Sequence, residues 1–252
     1  MKKTIAFLCI VLIVFCASCG KKEVRGTTAD ESILSTENYD VDSYDIGEGK
    51  IVDNCYNEDG NLEKTITRDE NGNVESFEIY EFNEYGKVQT VTYYNGDRTV
   101  SYYSEMKYDR SGNQIECETF YADGTLKAFV KNEYDDNSNC VKTENYDSER
   151  QLVGYETYEY SKNNKQTKVM SYGSDSKLIS CFEYSYNENS LLTKMIRYDS
   201  DMKPVESYAY EYNDKGNRIK ESHFDGGNNL IEYTLTKYDD KGNVVSTETF
   251  DS

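Results

Sequence analysis

Three groups of side chains are the places to look for chemistry in this sequence. His223 is the only histidine among 252 residues. A lone imidazole with no serine or cysteine motif around it is a poor start for acid–base or nucleophilic catalysis. Other stretches carry Thr119 or Thr249 at the same place, so it reads as an ordinary strand residue. Glu116 and Glu118 alternate along "NQIECETF" and share a face, as a glycosidase's carboxylates would. In a chain with 47 acidic residues such pairs arise by accident. The third group is aromatic: Tyr158 with Tyr160, Tyr184 with Tyr186, Tyr210 with Tyr212. Each pair alternates along one strand and shares its face. Equivalent strands would lie about 9.5 Å apart, roughly one disaccharide along a polysaccharide. Such a ladder could stack on sugar rings; alternatively, the rings only pack the array. No catalytic residue, cofactor or metal site is assigned. Turns such as "NEDGN" and "DENGN" are too short for calcium loops and lack the closing bidentate Glu.

The elements that position these residues repeat. Stepping back from Tyr238 in units of 26 gives Tyr212, Tyr186, Tyr160, Tyr134, Tyr108, Phe82 and Tyr56, all aromatic. Twelve residues after each anchor stand Arg68, Tyr94, Phe120, Tyr146, Tyr172, Tyr198, Phe224 and Phe250. At 13% aromatic content, chance would fill about two of sixteen such positions. Fifteen are filled, so residues 51–252 read as eight tandem units, each with two halves.

After each anchor comes a polar stretch with glycine at its fourth position: Gly60, Gly86, Gly112, Gly216 and Gly242, with Asn164 in one unit. Glycine and asparagine tolerate positive φ, and the spacing suits a hairpin loop built on a type I turn. Ser138 and Ser190 depart from this, so their turns should differ or carry strain. The turns of the second half read as looser. Between turns lie segments of about eight residues rich in Val, Ile, Thr, Tyr and Phe, too short for ordinary helices. The fold predicted is all-β: two strands per repeat in a long antiparallel meander of about sixteen strands. So many strands should make the sheet curl or spiral. Ile219, Val245, Val91 and Val169 fall out of phase with Phe224, Phe250, Tyr94 and Tyr172. Either a bulge resets the phase or both faces carry packing. With 37% hydrophobic residues, no Trp and 25 Tyr, cohesion should come from cross-strand aromatic pairs.

The front end reads as an address. Residues 1–18 have a Lys2–Lys3 positive start and an apolar run from Ile5 to Phe15, as in a secretory signal. "CASCG" resembles a bacterial lipobox, which implies cleavage before Cys19 and a lipid on its thiol. Residues 19–50 then read as the lipidated cysteine and a flexible, acidic tether of about 30 Å reach. Loss of Lys2 and Lys3 takes the formal charge from −19 to −19 − 2 = −21. That excludes nucleic acid and adhesion to anionic headgroups as binding modes, and favours a monomer. Cys55, Cys117, Cys140 and Cys181 fall at four repeat phases with no zinc spacing, and read as small strand residues.

The phrases "YEYNDKGN", "MKYDRSGN" and "TKYDDKGN" resemble the YD repeats of the RHS family, and "YADGTLKAF" resembles the short repeats of MORN-type and YwqK-type proteins. The resemblance covers residues 56–252. It implies a β-repeat array associated with cell-surface contact, carbohydrate binding or toxin encapsulation. The toxin-shell role is disfavoured: no cleavage motif or toxin domain follows Phe250. The expectation is a non-enzymatic protein, secreted and lipid-anchored to the bacterial cell envelope, whose array binds a glycan. The alternative is a scaffold that docks a surface protein. Degradation of a polymer comes third.

Overall fold

The structure is a computed structural model that describes residues 28–252. The signal segment 1–18 and the lipidation residue Cys19 lie outside the described residues. The chain is all-β, with seventeen antiparallel strands in one open sheet. It falls into two compact units.

The first unit runs through Lys131 and includes Tyr146–Gln151. It opens with a one-turn 3-10 helix, Glu31–Leu34. Its strands are β1 (Asp40–Gly47), β2 (Lys50–Tyr56), β3 (Leu62–Arg68), β4 (Val74–Phe82), β5 (Val88–Asn95), β6 (Val100–Tyr108), β7 (Gln114–Tyr121) and most of β8 (Leu126–Tyr134). The second unit, Asn132–Asn145 and Leu152–Ser252, holds β9 (Cys140–Tyr146, all but its last residue), β10 (Leu152–Tyr160), β11 (Gln166–Gly173) and β12 (Leu178–Tyr186). It continues through β13 (Leu192–Tyr198), β14 (Pro204–Tyr212), β15 (Arg218–Asp225), β16 (Leu230–Tyr238) and β17 (Val244–Asp251).

One loop design recurs at the strand ends. At the β3–β4 turn the Asp69 N–H donates to Asn73 O (2.9 Å) and the Gly72 N–H to Asp69 O (3.0 Å). Gly72 has φ 82°, the left-handed residue that closes a type I turn. The first residue of the loop adds a side-chain clamp. Asp69 Oδ1 accepts the N–H groups of Asn71 and Asn73 at 2.9 and 2.8 Å. Asn57, Asp109, Asp135, Asn187, Asp199, Asn213, Asp225 and Asp239 do the same. The turns of the second half are therefore as tight as those of the first. Ser138 and Ser190 do not change the turn; they hold it at φ 63° and 62°. Met202 does likewise at 58°. A left-handed residue other than glycine costs about 1–2 kcal/mol. Ser190→Gly should therefore stabilise the chain by about 0.5–1 kcal/mol after the entropy of a freer unfolded chain is subtracted. A denaturant midpoint that stays put or falls would contradict this.

Ring pairs across neighbouring strands recur in both units, within the buried core of the first and half-buried or exposed in the second. In the first, Phe77 stacks on Tyr94 (4.5 Å), Tyr103 on Phe120 (5.3 Å), and Phe129 packs against Tyr146 (5.2 Å). In the second, Tyr155 stacks on Tyr172 (4.6 Å) and Tyr233 on Phe250 (5.0 Å). One member of every pair belongs to the predicted second series; the other reveals a third series at the same 26-residue spacing. Two places in it are small, Cys181 opposite Tyr198 and Ser207 opposite Phe224. The parity question resolves in favour of both alternatives. The register slips beside each turn, as between Glu159 and Tyr160. Against β10 the register runs unbroken from Val169 to Tyr172, which therefore face opposite sides; against β12 the extra residue at the slip beside Tyr172 is Ile179, on the partner strand. Val91 and Phe77, also on opposite faces, are both buried, so both faces carry packing.

Order begins earlier than the sequence suggests. The segment expected to be a tether contains β1, paired in register with β2 from Asp40↔Tyr56 to Asp45↔Ile51, with a slip before Gly47↔Lys50. "YDIGEGK" makes the turn, with Gly47, Glu48 and Gly49 all at positive φ. No aromatic anchor marks this hairpin, which is why the repeat pattern passes over it. Among the described residues the four array thiols are free, and Cys55, Cys117 and Cys181 are wholly buried.

Candidate ligand-binding site

The loops place Asx residues side by side along an edge of the second unit. Between the loops Asp135–Asn139 and Ser161–Lys165 lies a groove of about 510 Å³. Val141, Tyr158 and Tyr160 line it together with Asn137, Asn139, Glu159, Lys162 and Asn164. The rings are fixed. Tyr158 Oη donates to Glu156 Oε2 at 2.7 Å, and Glu156 Oε1 accepts from Ser171 Oγ at 2.9 Å. Tyr160 Oη donates to the carbonyl of Cys140 at 2.9 Å. Burial, reinforced by the Glu156 carboxylate, pushes the Tyr158 phenol well above its ordinary range, so it stays neutral. Burial raises Tyr160 as well.

The rim is polar and partly committed. Asn139 Nδ2 donates to Asp135 Oδ2 (2.9 Å) and to Asn164 Oδ1 (3.2 Å), tying one loop to the next. The bond from Asn139, then the backbone N–H groups, hold the Asp135 carboxyl below the usual Asp value. That carboxylate is used up internally. Asn137, Glu159, Lys162 and Asn164 are exposed. The groove therefore offers half-buried ring surface beside amide, carboxylate and ammonium groups. Such a site can bind a polar ligand with one apolar face.

Only part of the predicted tyrosine ladder comes together here. Tyr158 and Tyr160 line the groove, and Tyr184, Tyr186, Tyr210 and Tyr212 do not. All six are half-buried. Tyr186 and Tyr212 repeat the structural task of Tyr160, donating to Gln166 O (2.8 Å) and Leu192 O (2.7 Å). Tyr108 and Tyr238 do the same twenty residues back, at Val88 O and Arg218 O. These anchors fasten the end of one strand to the start of its neighbour. Tyr184 lies 6.5 Å from the Phe182 ring, and Tyr210 lies under the Arg218 guanidinium at 5.5 Å. Burial, with Glu221 nearby, raises Tyr210 to about 12. Asn137, Asn139 and Asn164 were not singled out as ligand contacts. The signal for them lay in the loop spacing, which sets consecutive Asx loops on one edge.

The other candidates are accounted for by their neighbours. Glu116 pairs with Lys107 and Glu118 with Arg150. His223 stacks on Tyr208 at 4.4 Å, with Nε2 3.4 Å from Glu206 Oε2 and Nδ1 3.9 Å from Glu232 Oε1. Among the described residues, no three His, Cys, Asp or Glu side chains are grouped to hold a metal ion.

Fold and groove together define an all-β tandem-repeat protein with a loop-edge groove. No family model matches the chain, and no curated protein matches it. Solved structures similar to it include a porin-like protein from Bacteroides uniformis, at 9% identity and TM-score 0.42, covering 85% of this chain and 96% of that one. Another is TcdB2-TccC3 without its hypervariable C-terminal region, at 11% identity and TM-score 0.27, covering 78% of this chain but 15% of that one. TarM aligns over 47% of this chain and 19% of its own, at 14% identity and TM-score 0.21.

Proposed function

We propose that this chain is a non-catalytic protein of the bacterial cell envelope, lipid-anchored at Cys19, whose array binds an extracellular carbohydrate in the Tyr158–Tyr160 groove. The observation that carries the reading is the pairing of locked, half-buried tyrosine rings with exposed Asn137, Asn164, Glu159 and Lys162 around one groove. Sugars have an apolar CH face that packs on a ring and a hydroxyl edge that needs amides and charges, and a polar-rimmed groove meets both needs. Because internal hydrogen bonds already hold the rings, little ordering entropy is lost on binding. The formal charge of −19 sets nucleic acid aside as a ligand.

A second reading, docking of a protein partner, draws on β1. All eight of its residues are exposed, Tyr44 and Ile46 among them, and an open strand can accept another strand. Asp40, Asp42 and Asp45 work against it, since charges on an edge strand repel pairing. The test is a glycan-array screen of the full chain with Tyr158→Ala and Asn137→Ala variants. Binding should fall about tenfold in the ring variant, a loss of about 1.4 kcal/mol. No sugar bound by the folded wild type, or wild-type binding retained by both variants, would remove the carbohydrate reading from this groove and send the search to protein partners.

A further inference from the structure

The most unusual buried charge in the first unit is Lys64, only 3% exposed. Its ammonium donates to two main-chain carbonyls of the N-terminal segment, Ile33 O at 2.8 Å and Ser35 O at 2.6 Å. It also sits 4.3 Å from the centre of the Tyr39 ring. The segment that receives it, residues 28–39, crosses the sheet as a strap. At one end Thr28 bridges Thr99 and the Ala29 N–H donates to Arg98 O at 2.9 Å. At the other, Tyr39 Oη donates to Glu63 at 3.5 Å. In between, Ala29, Ile33, Leu34 and Tyr39 cover Cys55, Ile66 and Phe77.

The fit is asymmetric. The sheet side is fully buried: Cys55 and Ile66 at 0% and Phe77 at 1%. The strap side is not, because its 3-10 helix has no buried residue. A half-open cleft of about 270 Å³ borders the strap, lined by Ser32, Asn38, Tyr39, Lys64 and Tyr80 among others. An element with little buried surface and an open cleft beside it belongs to the low-stability end of a fold. Between its two tied ends, the side-chain hydrogen bonds that hold it to the sheet come from Lys64.

We propose that residues 28–39 are a releasable strap locked by Lys64, which opens over the first repeats while the array stays folded and so uncovers Cys55 and the Ile66–Phe77 face. Cys55 is a built-in reporter, and the equally buried Cys117 and Cys181, which the strap does not cover, are its controls. The experiment is timed alkylation of the full chain with N-ethylmaleimide, read peptide by peptide by mass spectrometry. Each rate is divided by that of the same thiol in the urea-unfolded chain. Cys55 should be at least tenfold less protected than Cys117 and Cys181. Lys64→Met should speed Cys55 severalfold further and leave the two controls unchanged. Equal protection of all three thiols in the wild type would overturn the proposal. So would a Lys64→Met effect that raises all three together, since that reports global unfolding. Wild-type hydrogen exchange gives a second reading independent of any variant. The Ser35 N–H should exchange well before the strand amides of β3 and β4, and simultaneous exchange would overturn the strap.

Discussion

Phe77→Ala should destabilise the protein by about 3–5 kcal/mol, the range for removing a fully buried ring. The same change at Tyr233, one of the other ring positions in the series, should cost less than half as much. Both rings stack on a partner seventeen residues on, at 4.5 and 5.0 Å. What differs is the cover. Phe77 is 1% exposed beneath the strap, whereas Tyr233 is half-buried and its partner Phe250 is 37% exposed. If ring stacking itself supplied most of the stability, the two losses would be similar. If removal from water supplies it, the buried site must dominate, since the transfer and cavity terms scale with area and volume. Urea unfolding followed by far-ultraviolet circular dichroism would read both. In a repeat array the units can unfold separately, so the comparison rests on the transition of the unit that carries each variant. Equal losses would mean that the stacks, not their burial, hold the sheet.

The contrast also shows what could be read from the sequence and what could not. The 26-residue period and the paired strands were legible because each is a local rule repeated eight times, and the turns because five of the eight carry glycine at the same place. The third ring series was not, although Phe77, Tyr103, Phe129, Tyr155 and Tyr233 share that period. Cys181 and Ser207 interrupt it, and its meaning appears only with the register that sets each residue opposite the one seventeen places on. The same holds for the anchors. Tyr160, Tyr186 and Tyr212 look like a platform when counted along the chain. The structure spends their hydroxyls on carbonyls twenty residues back. The groove at Tyr158 and Tyr160 was half legible: the rings stood out, but the rim depends on which loops become neighbours. The strap left no periodic trace at all, because residues 28–39 pack through four side chains chosen by the face they cover.

The second large effect expected is at acid pH, and it resides in the loops. Asp69, Asp135, Asp225 and Asp239 are each held below the ordinary Asp value of 3.8, first by the side chain of Asn73, Asn139, Asn229 or Asn243 and then by backbone N–H groups. A carboxyl whose folded value is depressed binds fewer protons folded than unfolded. Its stabilising contribution is complete above the unfolded value and is lost as pH falls through the folded one. Stability should therefore fall below about pH 4. Above that the opposite trend applies, because the large negative charge is neutralised towards the isoelectric point near 4.5 and self-repulsion eases. The maximum should fall near pH 5. Asparagine already performs the same clamp without a titrating group at Asn57, Asn187 and Asn213. The quadruple variant Asp69→Asn, Asp135→Asn, Asp225→Asn, Asp239→Asn should thus keep the turns, lose some stability at pH 7 and lose less than wild type between pH 5 and pH 2. The two stability curves should converge or cross in that window. Parallel acid limbs would show that the loop carboxylates are not the acid-sensitive groups and would place the sensitivity in ion pairs such as Arg68–Asp53 and Lys168–Glu183, whose carboxyls are also held below their ordinary values.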